Sequence, residues 1–136
     1  MKRFALLMWI VCILISAVSV LAAPQVLNLQ GNVFGTCNQS AVITVTGYCP
    51  GQIGNSSCIV DNTTAIANGI GAYGTSLTYE DTTYPTGIDV LIEATNTSCS
   101  TTAYGNNTAT NAIGGGLPVT INVNISNSFT LDEPLN

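Results

Sequence analysis

Apolar and polar residues alternate most regularly over residues 117–125. Leu117, Val119, Ile121, Val123 and Ile125 take every second position, with Pro118, Thr120, Asn122 and Asn124 between them. This period of two predicts a strand with one buried face. Residues 27–34 repeat the pattern, with Leu27, Leu29, Gly31 and Val33 on the apolar side. So do residues 88–95, where Ile88, Val90, Ile92 and Ala94 oppose Asp89, Leu91, Glu93 and Thr95, which places Asp89 and Glu93 on a wet face. A β-branched run over 41–47 predicts a further strand. Residues 58–61 read as a short strand, and 63–67 with 70–79 flank Asn68-Gly69, the signal for a two-residue hairpin. Phe129 and Leu131 add a last alternating pair.

Residues 96–116 are dominated by Thr, Asn, Ser and Gly and read as a long loop. The triplet Gly114-Gly115-Gly116 reads as a hinge before the strand at 117–125. No helical period occurs after residue 23. The expected fold is all-β, an antiparallel β-sandwich of about seven strands, immunoglobulin-like or prealbumin-like, with an amphipathic terminal strand.

A terminal strand of this kind does not stand alone. Burying its five apolar side chains gains about 1.5–3 kcal/mol each, while ordering nine backbone residues costs roughly 1–2 kcal/mol each. It needs a groove whose edges supply main-chain hydrogen bonds, in its own chain or in another copy.

Composition narrows the setting. Of 136 residues, only Lys2 and Arg3 are basic, and an apolar run from Phe4 follows them, ending in small residues at Ala22 and Ala23. This is the form of a secretory signal peptide, residues 1–22, cut after Ala22, with an uncleaved signal anchor as the alternative because Phe4 to Ala23 approaches the length of a bilayer span. Phe4, directly after the basic pair, departs from a type IV pilin leader, which has a small residue there. The chain beyond the leader has no Lys, Arg or His and keeps Asp61, Glu80, Asp81, Asp89, Glu93, Asp132 and Glu133. Without cations, nucleic acid and anionic membrane surfaces are excluded as partners.

Four cysteines remain, Cys37, Cys49, Cys58 and Cys99. In a small secreted domain they predict two disulfides, with three connectivities available. Cys49 with Cys58 would close a turn, and Cys37 with Cys99 would tie an early loop to a late one. These contribute about 3 and about 4 kcal/mol in the chain-entropy model. The spacing lacks a Cys-x-x-Cys pair, so no zinc site is expected. Six sequons, at Asn38, Asn55, Asn62, Asn96, Asn106 and Asn124, predict a glycosylated surface.

Catalytic chemistry is poorly supplied. Beyond the leader there is no histidine, no lysine, no unpaired thiol once the four cysteines are joined, and no Gly-x-Ser-x-Gly elbow. Glu80-Asp81 lacks the alternating spacing of a calcium loop. The expected protein is not an enzyme and carries no cofactor or metal.

A secretory leader, a small sequon-rich Thr/Asn/Gly β domain free of basic residues, and an amphipathic terminal strand together resemble subunits of archaeal thread filaments, pilin-like proteins joined by donor-strand complementation. The resemblance spans the chain in architecture and composition and rests on no single motif. It implies a secreted subunit that polymerises head to tail into a surface or adhesion filament, with cell-surface glycans as a further partner class. By that pattern residues 23–34 are the donor, with Val26, Leu27, Leu29, Gly31 and Val33 entering the neighbour, and residues 35–136 form the β-sandwich. Separately, residues 29–35, 41–45 and 64–73 are similar to carboxypeptidase regulatory-like domains, which implies that 29–34 stays in its own sheet and that the C-terminal strand is the donor. The alternative function is a monomeric secreted module that binds carbohydrate or surfaces through Tyr73, Tyr79, Tyr84 or Tyr104.

Overall fold

A computed structural model describes residues 23–99 and 102–127. The expected leader and the Phe129–Leu131 pair lie outside the described residues. The alternating segments become β1 (Pro24–Phe34), β2 (Val42–Tyr48), β3 (Ile59–Ile66), β4 (Ala72–Glu80), β5 (Ile88–Asn96) and β6 (Ala103–Ala112), followed by β7 (Val119–Thr120), β8 (Val123–Asn124) and β9 (Ser126–Asn127). A single 3-10 turn, Ser56–Cys58, precedes β3, and the Asn55 side chain caps it by accepting from Ser57 N.

The strands form two sheets packed as a sandwich. One runs β4-β1-β7, with β8 continuing along β1, and the other runs β3-β2-β5-β6-β9. Leu27, Leu29, Val33 and Leu77 of the first sheet meet Ile43, Val45, Ile88, Val90 and Ile92 of the second. Ile121, Val123 and Ile125 of the C-terminal segment complete this core. Both expected disulfides are present, Cys37–Cys99 and Cys49–Cys58, with Cα separations of 6.2 and 5.5 Å.

Five expectations are corrected. The stretch 96–116 holds β6, a strand with almost no large apolar residues. It pairs along β5, and its inward side is small because the C-terminal chain crosses directly above: a Cβ on Gly105 would overlap the Asn124 carbonyl. Composition hides such a strand, since its partner is backbone rather than side chains.

Asn68-Gly69 is no hairpin. β3 pairs with β2 and β4 with β1, so the turn carries the chain from one sheet to the other. Asn68 Oδ1 accepts from Ile70 N and Ala72 N, and Gly71 has a φ of 85°, which only glycine adopts readily.

Asp89 is buried rather than wet, at 3% exposure. Its two carboxylate oxygens accept from Gly51 N at 2.7 Å and Asn111 N at 2.9 Å, which joins the Cys49–Cys58 turn to the end of β6. Gly114 and Gly115 are tied rather than free, donating to Tyr79 Oη and to the Val26 carbonyl.

The expected continuous strand at 117–125 is broken into β7 and β8 and then leaves its sheet at β9, which pairs with β6. Leu117, placed on the apolar face by the alternation, is 91% exposed.

Candidate functional site

β1 is the middle strand of its sheet. On one side it runs antiparallel to β4, from Pro24 opposite Glu80 to Asn32 opposite Ala72. On the other side it runs parallel to the C-terminal segment, Leu29 opposite Val119 and Val33 opposite Val123. Both candidate donor segments therefore lie side by side in the domain's own sheet. If β1 were withdrawn, two backbone edges and an apolar floor would be left facing each other.

Of the expected donor residues, Leu27, Leu29, Gly31 and Val33 point into the core. Val26 is on the opposite side, 47% exposed, because the period of two assigns it there. Its carbonyl is still used, accepting from Gly115 N.

The ladder on the parallel side is interrupted at Ile121 and Asn122. Ile121 N donates to the Gln30 carbonyl, and Asn32 N donates to the Asn122 side chain at 2.9 Å. The Ile121 carbonyl turns inward, where the buried Tyr73 hydroxyl donates to it. Gly31 makes this possible. A Cβ at that position would overlap the Ile121 carbonyl and stand 2.9 Å from Tyr73 Cε1. Gly31, Tyr73, Ile121 and Asn122 thus form one register-fixing cluster. A glycine inside an alternating strand is the only sequence signal for it.

Burial pushes the Tyr73 hydroxyl from its ordinary 10.0 up to about 12. In the unfolded chain it ionises near pH 10, so stability is unaffected below pH 10 and falls as the pH rises from there toward 12. Tyr73→Phe is expected to abolish that alkaline slope in urea titrations and to lower stability at pH 7 by about 1–3 kcal/mol, because the Ile121 carbonyl loses its partner.

β1 joins the domain through a short tether. Only Gly35 and Thr36 separate Phe34 from Cys37, which the Cys37–Cys99 disulfide fixes to the β5–β6 loop. Asn96 reinforces this anchor. It is 3% exposed, and its Nδ2 donates to the carbonyls of Cys37 at 2.8 Å and Gln39 at 2.7 Å, while its Oδ1 accepts from Ser98 N.

The sequons therefore divide. Asn55, Asn62, Asn106 and Asn124 are exposed, and Asn38 is half-buried with its Nδ2 on the Val33 carbonyl. Asn96 spends both amide hydrogens inside the fold, leaving no position for a glycan. Peptide mapping is expected to find Asn96 bare, and Asn96→Ala to cost about 2–3 kcal/mol in urea unfolding.

Of the four tyrosines weighed for sugar binding, Tyr73 and Tyr79 belong to the core, Tyr84 is half-buried, and Tyr104 is exposed with its hydroxyl on Glu93. Tyr79 and Tyr84 line one open surface cavity together with Pro24, Ile59 and Thr83, while Tyr73 and Tyr104 lie apart from it. Among the described residues no helix is long and apolar enough to cross a membrane. No protein-family model, curated protein or solved structure matches this chain.

Proposed function

We propose that this chain is a secreted, N-glycosylated structural subunit that joins copies of itself head to tail by strand donation, building an extracellular filament for adhesion or surface structure. β1 is the donated strand. The observation that carries this reading is the position of β1: the segment that directly follows the expected leader occupies the centre of its sheet, between β4 and the C-terminal strands. Its removal opens a strand-shaped groove with two backbone edges, which a strand of the same alternation from another copy can enter in either direction. With the leader cut after Ala22, β1 is held to its own domain by chain connectivity at Phe34 alone.

Direction decides what donation builds. A strand entering a neighbour in the direction seen here, parallel to β7 and β8, leaves the groove at the same end in both copies and closes a pair. Head-to-tail growth requires the reverse direction, antiparallel to β7 and β8. Reversal about Gly31 keeps the glycine against the Ile121 carbonyl and exchanges the places of Leu29 and Val33 and of Leu27 and Gly35, so the Ile125 carbonyl, which a Cβ in the Gly35 place would overlap, must move to admit Leu27.

The test is electron microscopy of the full secreted chain, alone and with an excess of synthetic peptide 23–34 added before assembly. Filaments that shorten as peptide is added are the expected result. Monomers at every concentration, indifferent to the peptide, would refute donation.

A further inference from the structure

Assembly needs more than a strand, and the two ends of the sandwich differ in a way that assigns them roles. At the end where β1 leaves the sheet, Phe34 is 48% exposed, Val42 47%, Ile66 70% and Ile70 78%. Val42 and Ile66 are direct cross-strand partners. Ile70 lies on the turn whose Gly71 carbonyl accepts from Val33 N, next to Phe34. The segments that form this end, residues 34–42, 66–71, 96–99, 102–103 and 124–127, contain no charged residue, and their sequons Asn38, Asn96 and Asn124 must stay unglycosylated for another copy to seat there. In a chain whose ionisable groups beyond the leader are all acidic, this is a surface that another copy approaches without like-charge repulsion.

The opposite end carries a smaller apolar patch, Ile113 at 59% and Leu117 at 91% exposure. It sits beside the start of β1, where Gly114 and Gly115 pack on Val26.

We infer that these two patches are the two halves of the subunit contact: the Phe34, Val42, Ile66 and Ile70 end of one copy seats on the Ile113 and Leu117 end of the next. The inference rests on the strand-donation reading and adds the surface that donation brings together. The tether supplies the reason. From Phe34 to the disulfide-anchored Cys37 is three Cα steps of about 3.8 Å, so a donated Phe34 stays within roughly 11 Å of its own domain. A strand reversed in the acceptor puts Phe34 at the acceptor's Leu117 end. The donor's uncharged end is then held against that patch whatever the remaining geometry. Two different surfaces meet, so the contact is heterologous and propagates.

Charge placed in either patch tests this on the full secreted chain. Ile70→Asp and Leu117→Asp are each expected to shorten filaments at least tenfold by electron microscopy. Both side chains are largely solvent-exposed in the monomer, so the thermal midpoint should stay unchanged. Mixing the two variants is expected to yield pairs and no filaments, because each keeps one intact end. Variant filaments as long as those of the unmodified chain would overturn the inference and leave strand donation standing. Loss with Ile70→Asp but not with Leu117→Asp, or a mixture that forms no pairs, would overturn the two-patch contact in favour of another packing of the ends. Absence of filaments from the unmodified chain would instead overturn strand donation itself.

Discussion

Gly31→Val is expected to destabilise the domain by about 3–5 kcal/mol, combining overpacking with a displaced hydrogen bond. The cause is space rather than backbone conformation, since Gly31 is not among the positive-φ residues. Any side chain there meets the Ile121 carbonyl, which is backbone and cannot swing aside as a flexible side chain would. Moving that carbonyl breaks its bond from the Tyr73 hydroxyl and disturbs the ladder from Gln30 to Asn32 on the parallel side of β1. Valine has high strand propensity, so propensity and packing oppose each other here, and packing prevails. Gly74→Ala is the control. It lies on β4, its nearest neighbour is the Leu29 carbonyl oxygen at 3.9 Å, and it is expected to change stability by less than about 1 kcal/mol. Urea unfolding of both variants gives the comparison. Equal midpoints would show that the Ile121 segment yields and that the glycine does not fix the register. In the donation reading the same substitution also bars the strand from a neighbour's groove, so assembly should fail with the fold.

The double substitution Cys37→Ser with Cys99→Ser is expected to cost about 4 kcal/mol. The disulfide closes a long loop, with a sequence separation of 62, and the penalty for losing it comes largely from the freed unfolded chain. A second effect is local. Cys37 is the first fixed point after β1, and the Asn96 amide holds the carbonyls on either side of Asn38. With the bridge gone, β1 amides should exchange faster in hydrogen exchange, whereas those of β2 and β5, central in the other sheet, should follow the global stability. Because Asn96 and the disulfide secure the same loop, their combined loss should fall short of the sum of the separate effects. Cys49–Cys58 closes a much shorter loop, of separation 9, and replacing both of its cysteines by serine should leave β1 exchange unaltered relative to the global change. Matching exchange patterns for the two double variants would show that the Cys37–Cys99 bridge has no special hold on the strand.

Two disulfides, with the observed pairing among three that the spacing allows, and most of the strands are legible in the sequence. The period of two marks a strand because successive side chains must face opposite sides, and turn spacing limits which cysteines meet. The failures share a cause. β6 has small residues where a neighbouring backbone passes, so its strand character lies in hydrogen bonds that composition does not record. Asp89 and Asn96 look like surface residues by type, yet each is buried because backbone N–H and C=O groups from distant segments converge on it. Leu117 follows the apolar alternation and still faces solvent, since it lies between the Gly115–Val26 bond and the strand pairing that begins at Val119.

What the sequence determined by itself is what local chemistry dictates: an all-β chain, the inward face of the strands with alternating apolar residues, four cysteines enough for two disulfides, and the absence of cations after Arg3. The tertiary structure alone decided which strands are neighbours. Whether Asn68-Gly69 makes a hairpin or a crossing between sheets, and whether the N-terminal strand lies at an edge or at the centre, depends on long-range hydrogen bonds between segments up to ninety positions apart. Those bonds are chosen by the global packing of two sheets, and a local pattern holds no record of the choice.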